Sequence, residues 1–252
     1  MYLPIFGSAD IIKATINLSA PAYDNFWISS LRQWHRPGDF HFATPIGFAA
    51  DIRGVLPVEA LDTLHALVEL DGTMDHMRSH STKFQDMQSI TGLRNAVQHR
   101  LLSLPFWVDL QQSERVLCSE SSYDCCRITA RVYASAVTFP LPTNTGWQKT
   151  AIVALQRAVQ IWIATQWEND VDYLLIWMLF VGGMVAVSSR YSLDFRILLA
   201  QALRKANIKT WDAAEAVLRR FLWTDAACET GGLEVWESVQ LLCETSDAMA
   251  MS

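Results

Sequence analysis

Residues 174 to 190 read "LLIWMLFVGGMVAVSSR", and this run limits the possible folds more than any other part of the chain. It is apolar from Leu174 to Val187, carries two adjacent glycines and stops at Ser188, Ser189 and Arg190. Such a run either crosses a membrane or fills a protein core. It is shorter than the roughly 20 apolar residues that a spanning helix needs. Asp170 and Asp172 lie just before it, and no basic cluster follows Arg190. The run therefore predicts a buried central helix without a membrane span. Gly182 and Gly183 present bare backbone there, which allows a neighbouring helix or a ligand to approach closely.

A helix that is apolar on every side needs partners on every side, and the remaining sequence supplies them. "PVEALDTLHALVELDGTMDHM" places Leu61, Leu64, Leu67 and Val68 on one stripe. "SITGLRNAVQHRLLSLP" does the same with Ile90, Leu93, Val97, Leu101 and Leu104 before Pro105. Apolar residues recur at helical spacing in "CCRITARVYASAVTF", in residues 148 to 164, in "LDFRILLAQALRKANI" after Ser192 as a predicted N-cap, and in "TWDAAEAVLRRFLW". A last helix is expected from near Gly232. Residues 1–57 show Pro and Gly punctuation without a clear period and predict an irregular cover over a helical core at 58–247. With no repeat and no hairpin signal, the expectation is one all-α domain over 1–252, of about seven to eight helices.

Four of these segments, "LRNAVQHRLLSLP", "CRITARVYASAVTFPLP", the central run and "WDAAEAVLRRFLW", occur together and in order. In that combination the chain resembles the C-terminal half of the fungal-specific regulatory domain that accompanies zinc binuclear cluster transcription factors. The resemblance covers roughly Leu56 to Trp236. It implies a core position for the central helix and a role in gene regulation. Regulators of that family carry a six-cysteine zinc cluster near the N-terminus, whereas the first cysteine here is Cys118. The family's DNA-binding residues thus carry over to no position, and its early helices have no counterpart.

Composition narrows the function. The net charge is −6, and the densest basic region, Arg204 to Arg220, is interleaved with Asp212 and Glu215. Direct nucleic-acid binding is therefore not expected. Five cysteines without a C-x-x-C pair suggest neither a disulfide framework nor a zinc site. "MYLPIFGSADIIK" lacks a basic leader, so a cytoplasmic or nuclear location is expected. The sequence contains no G-x-S-x-G, H-E-x-x-H or P-loop pattern. "WENDVD", residues 167 to 172, resembles an acidic magnesium motif, but no second metal motif comes after it and the residue types suit a helix start.

Two readings remain. In the first, the regulator-like domain binds a hydrophobic small molecule and promotes its cofactor-free cyclisation, pericyclic reaction or isomerisation in fungal secondary metabolism. Such chemistry needs a preorganised, dry cavity and a few hydrogen-bond donors, without metal or cofactor. The ten Trp are consistent with an aromatic-lined cavity. "HRPGDFHF" offers His41 and Asp39, beside His35, as an acid/base pair. Tyr133, Tyr173, Trp177, Arg190 and Trp34 are the candidate substrate contacts, around a cavity expected between the central helix and residues 1–57. A homodimer is compatible with this reading. In the second, the chain is a DNA-free co-regulator that acts through a zinc-cluster partner.

Overall fold

The computed structural model describes residues 3–17, 19–22, 56–79, 84–115, 120–142, 146–166 and 173–250. Among these residues the protein is all-helical, without a strand. The helices are α1 (Leu3–Asn17), α2 (Val58–Ser79), α3 (Phe84–Ser103), α4 (Glu120–Tyr133), α5 (Trp147–Gln166), α6 (Tyr173–Val185), α7 (Ser192–Lys205), α8 (Trp211–Leu218) and α9 (Asp225–Ala250). Short turns at Trp107–Asp109 and Gln112–Arg115 lie between α3 and α4.

The central run forms α6, and every residue from Leu174 to Gly183 is buried. Helices α4, α5, α7, α8 and α9 pack around it. No helix among the described residues is long and apolar enough to cross a membrane. The two glycines admit the neighbouring helices. A Cβ on Gly182 would lie 2.4 Å from the Phe195 ring of α7, and one on Gly183 would lie 3.0 Å from Val235 of α9. Here the side chain of the opposite helix fills the space that a Cβ would take.

A second anchor joins α3 to α4. Tyr123 donates its hydroxyl to Pro105 O at 2.8 Å. Arg131, only 3% exposed, reaches the last turn of α3. Its Nη2 donates to Leu102 O at 2.7 Å and Leu104 O at 3.4 Å, and its Nε to Leu101 O at 3.3 Å. Those carbonyls have no partner within their own helix, and a cation complements the negative end of the helix dipole. Burial lowers the Arg131 pKa to about 9, still above neutral, so the guanidinium remains charged at pH 7.

The boundaries differ from the sequence expectation in three places. Residues 1–57 contribute α1, whose Ile11, Ala14 and Thr15 are buried; Gln98 Nε2 of α3 donates to Thr15 Oγ1 at 3.1 Å. Helix α9 begins at Asp225 and runs through Gly231 and Gly232 rather than starting near Gly232. Gly232 lies where a Cβ would come within 2.6 Å of Trp223 and 2.9 Å of Trp211, so this glycine serves packing. Ser192 is the first residue of α7, and the capping residue Tyr191 makes no side-chain cap. Thr210 does cap α8, accepting from Ala213 N at 3.3 Å.

Candidate functional site

A charged residue stands on the core face of α2. Its buried positions are Ala60, Thr63, Leu64, Leu67, Leu70 and Asp71. Asp71 comes four residues after Leu67 and seven after Leu64, so helical geometry turns the carboxyl inward with the leucines. It is 5% exposed.

Helix α4 ends opposite Asp71 in a π-helical turn, Ala134–Thr138, closed by Phe139 N donating to Ala134 O at 2.6 Å. The wider turn adds a residue to the coil and shifts the register of the residues after it. Thr138 then faces Asp71, and its Oγ1 donates to Asp71 Oδ1 at 2.7 Å. Tyr133, the last residue before the turn, is fully buried, and its hydroxyl faces Asp71, Thr224 and Cys228. The approach is loose, since no hydrogen bond of standard geometry closes at that hydroxyl among the described residues. Burial, reinforced by the Asp71 charge, raises the Tyr133 phenol well above its usual range. Burial also raises the Cys228 thiol, against the neighbouring Thr224, which lowers it. Both groups hold their protons at neutral pH.

The third side is residues 219–224, between α8 and α9. Trp177 Nε1 donates to Leu222 O at 2.8 Å, and the Trp177 ring stacks on Phe221 at 5.8 Å. The Arg220 guanidinium lies 4.9 Å above the Tyr173 ring. Thr224 Oγ1 and Cys228 Sγ are 4.0 Å apart. Between this segment and α2 lies a crevice of about 270 Å³, lined by Asp71, Asp75, Phe221, Trp223, Thr224 and Asp225 among others. Arg219 reaches its edge and is held by Asp225 at 2.8 Å and Glu215 at 3.2 Å. The crevice therefore has an aromatic wall, an excess of carboxylates and a buried carboxyl with the protonated Tyr133 phenol near it.

Three of the residues singled out in the sequence converge here. Tyr133 forms the base of the polar cluster, and its ring lies 6.5 Å from that of Trp177. Trp177 and Tyr173 hold residues 219–224 from behind. Trp177 is wholly enclosed, with its indole N–H committed to Leu222, so it supports the wall and does not line the crevice. Arg190 stands apart in the turn after α6, folded over the Tyr191 ring at 4.7 Å. His41, Asp39, Trp34 and His35, the mouth expected from "HRPGDFHF", and the "WENDVD" stretch lie outside the described residues. Asp71, Thr138, Thr224 and Cys228 were not singled out in the sequence. Asp71 alone had a visible signal, an acid in a core position. Among the described residues no group of three His, Cys, Asp or Glu side chains could hold a metal ion.

A second, larger concavity of about 980 Å³ runs along the outer faces of α4 and α5. Its floor is apolar, from Ile128, Val153, Ala154, Ala158 and Ile161. Val153 and Ile161 are 41% and 48% exposed.

Comparison of the chain with models of known protein families, with curated proteins and with solved structures finds no match.

Proposed function

We propose that this chain is a regulator-like helical domain, acting in the cytosol or nucleus without a DNA reader, that binds a hydrophobic small molecule in the Asp71 crevice. There it promotes a cofactor-free isomerisation or cyclisation of fungal secondary metabolism. One observation carries the reading, a buried carboxyl at an aromatic-walled crevice with a protonated phenol and thiol behind it. A carboxylate held by Thr138 accepts a proton from a bound substrate. The neutral Tyr133 hydroxyl and Cys228 thiol stabilise the charge that Asp71 carries, through the low dielectric of the core. Groups whose environments set their proton affinities apart are the elements of acid–base catalysis. Phe221 and Trp223 provide the apolar wall that orients the substrate.

The test incubates the chain, and its Asp71→Asn variant, with the late apolar intermediates of the pathway encoded beside it. Rate and product ratio are compared with the uncatalysed background. The expected result is a changed rate or stereochemistry that Asp71→Asn abolishes. Identical profiles with wild type, variant and buffer across the set would refute the proposal.

The second reading is a DNA-free co-regulator that acts through a zinc-cluster partner. The apolar floor between α4 and α5 favours it, since an amphipathic helix seats in such a channel. Retention of a purified zinc-cluster regulator by the wild-type chain, lost in Val153→Asp, is the result that would establish it.

A further inference from the structure

The charges around the α4–α5 groove are segregated by helix. Those that α4 contributes are acidic, Glu120 and Asp124, and those that α5 contributes are basic, Lys149 and Arg157. Asp124 is engaged by Arg127 at 2.9 Å. The side chains of Glu120, Lys149 and Arg157 make no ion pair or hydrogen bond among the described residues. A surface with one acidic side, one basic side and an apolar floor between them is complementary to itself. A half-turn about the groove axis lays the α4 of one copy over the α5 of the other, acid over base on both sides at once. This is the condition for an isologous interface, in which each patch meets its own copy.

From this we infer that the groove between α4 and α5 is the docking surface for a second copy of the chain, forming a four-helix layer with Glu120 of each protomer facing Arg157 of the other. The apolar floor adds burial. Val153 and Ile161, large and exposed in the single chain, become covered, and Ala154 and Ala158 leave room for the opposing helix to approach. The stretch of α5 from Lys149 to Ile161 spans about 18 Å at 1.5 Å per residue, long enough for several turns of contact. The inference is independent of the Asp71 crevice, which α2, α9 and residues 219–224 build elsewhere.

Charge exchange tests it. Arg157→Glu places acid over acid in its own dimer, and Glu120→Arg places base over base. Mixing the two variants restores one original and one inverted pair. Sedimentation velocity over ~1 to ~200 µM brackets the affinities expected of a modest interface. The wild type should dimerise, more weakly as salt is added. Each variant should associate about 10-fold or more weakly, and the equimolar mixture should return to within about 3-fold of wild type. Val153→Asp, at an exposed position, should abolish association while circular dichroism and thermal melting remain those of wild type. A wild type that stays monomeric throughout the range would overturn the inference. So would self-association unchanged by both exchanges, or a mixture no tighter than its components. A monomer that retains a zinc-cluster protein through Val153 would assign the groove to that partner instead.

Discussion

Arg131 and Asp71 are both charged, both on the core face of a helix and almost equally hidden, at 3% and 5% exposure. They differ in what surrounds them. Arg131 points three donor contacts at the carbonyl end of α3, where an otherwise unpaired set of acceptors and a helix dipole require a cation. Its charge completes a structural joint. Asp71 accepts a hydrogen bond from the Thr138 hydroxyl, lies near the protonated Tyr133 phenol and borders a crevice. A buried charge that closes the backbone accounting around it is part of the scaffold. A buried charge that lines a crevice can be reached from it. Depth alone does not separate the two cases; the partners do.

The sharpest test of this contrast removes the scaffold charge. Arg131→Met keeps much of the side-chain volume and deletes every donor to Leu101, Leu102 and Leu104. The buried carbonyls are then left without partners, at a cost of about 3 kcal/mol. Urea denaturation should show a shifted midpoint with an unchanged slope, while the folded fraction retains full activity. A loss below about 1 kcal/mol would place Arg131 with surface charges and undo the comparison.

Next in size is a change to the wall beside Asp71. Gly232→Ala would drive a Cβ to 2.6 Å from Trp223. The indole must move, costing about 1–3 kcal/mol in overpacking and deforming the crevice. The adjacent Gly231→Ala meets Met184 at 3.4 Å, an ordinary contact. It should raise stability by about 0.5–1 kcal/mol through helix propensity and leave the crevice intact. Melting curves on the pair distinguish packing from propensity. Equal responses would show that Trp223 does not depend on Gly232.

How much of this was legible in the sequence depended on the range of the interaction. The central helix could be read because length and composition are local properties. The glycine pair could be read as a close approach, though not which neighbours approach, since Phe195 and Val235 lie on separate helices. In α2 the predicted stripe of Leu61, Leu64, Leu67 and Val68 was turned by about one position. The buried face runs through Ala60, Leu64, Leu67, Leu70 and Asp71, and Asp71, four residues after Leu67, continues either stripe. Helix α1 was hidden by Pro4 and Gly7, although Pro4 sits in its first turn, where the backbone N–H groups have no helical acceptor. The π-helical turn at Ala134–Thr138 had no local signal, because it is stabilised by what Thr138 reaches in α2. The α4–α5 groove was illegible for the same reason, as it exists only where the outer faces of two helices meet.

The alkaline limb of stability gives a smaller effect on the same cluster. The Cys228 thiol and Tyr133 phenol are raised above their ordinary values of 9.0 and 10.0. Above pH 9 the unfolded chain therefore releases protons that the folded chain keeps. The unfolded state then binds fewer protons, so stability falls as pH rises. The contribution is complete below pH 9 and lost progressively above it. Tyr133→Phe should flatten the part of this decline that begins near pH 10, as read from urea midpoints between pH 7 and 10.5. A decline as steep in the variant as in the wild type would place the phenol outside the buried cluster.

The smallest change in stability should come from the residue with the most functional weight. Asp71→Asn keeps the shape, and the amide oxygen still accepts from Thr138. The hydrogen bond that anchors the π-helical turn therefore survives. What disappears is a charge that the core must desolvate, so the fold should change by no more than about 1 kcal/mol in either direction. Proton transfer disappears with it, and turnover should fall by about 100-fold or more. The same substitution removes the nearby negative charge that helps to raise the Tyr133 phenol, so that group should titrate at lower pH in the variant, visible as phenolate absorbance on alkaline titration. A structural Asp71 would produce the opposite pattern, a marked loss of stability with activity per folded molecule preserved. Arg131→Met is expected to show that pattern, and the two variants measured side by side decide whether the two buried charges differ in kind.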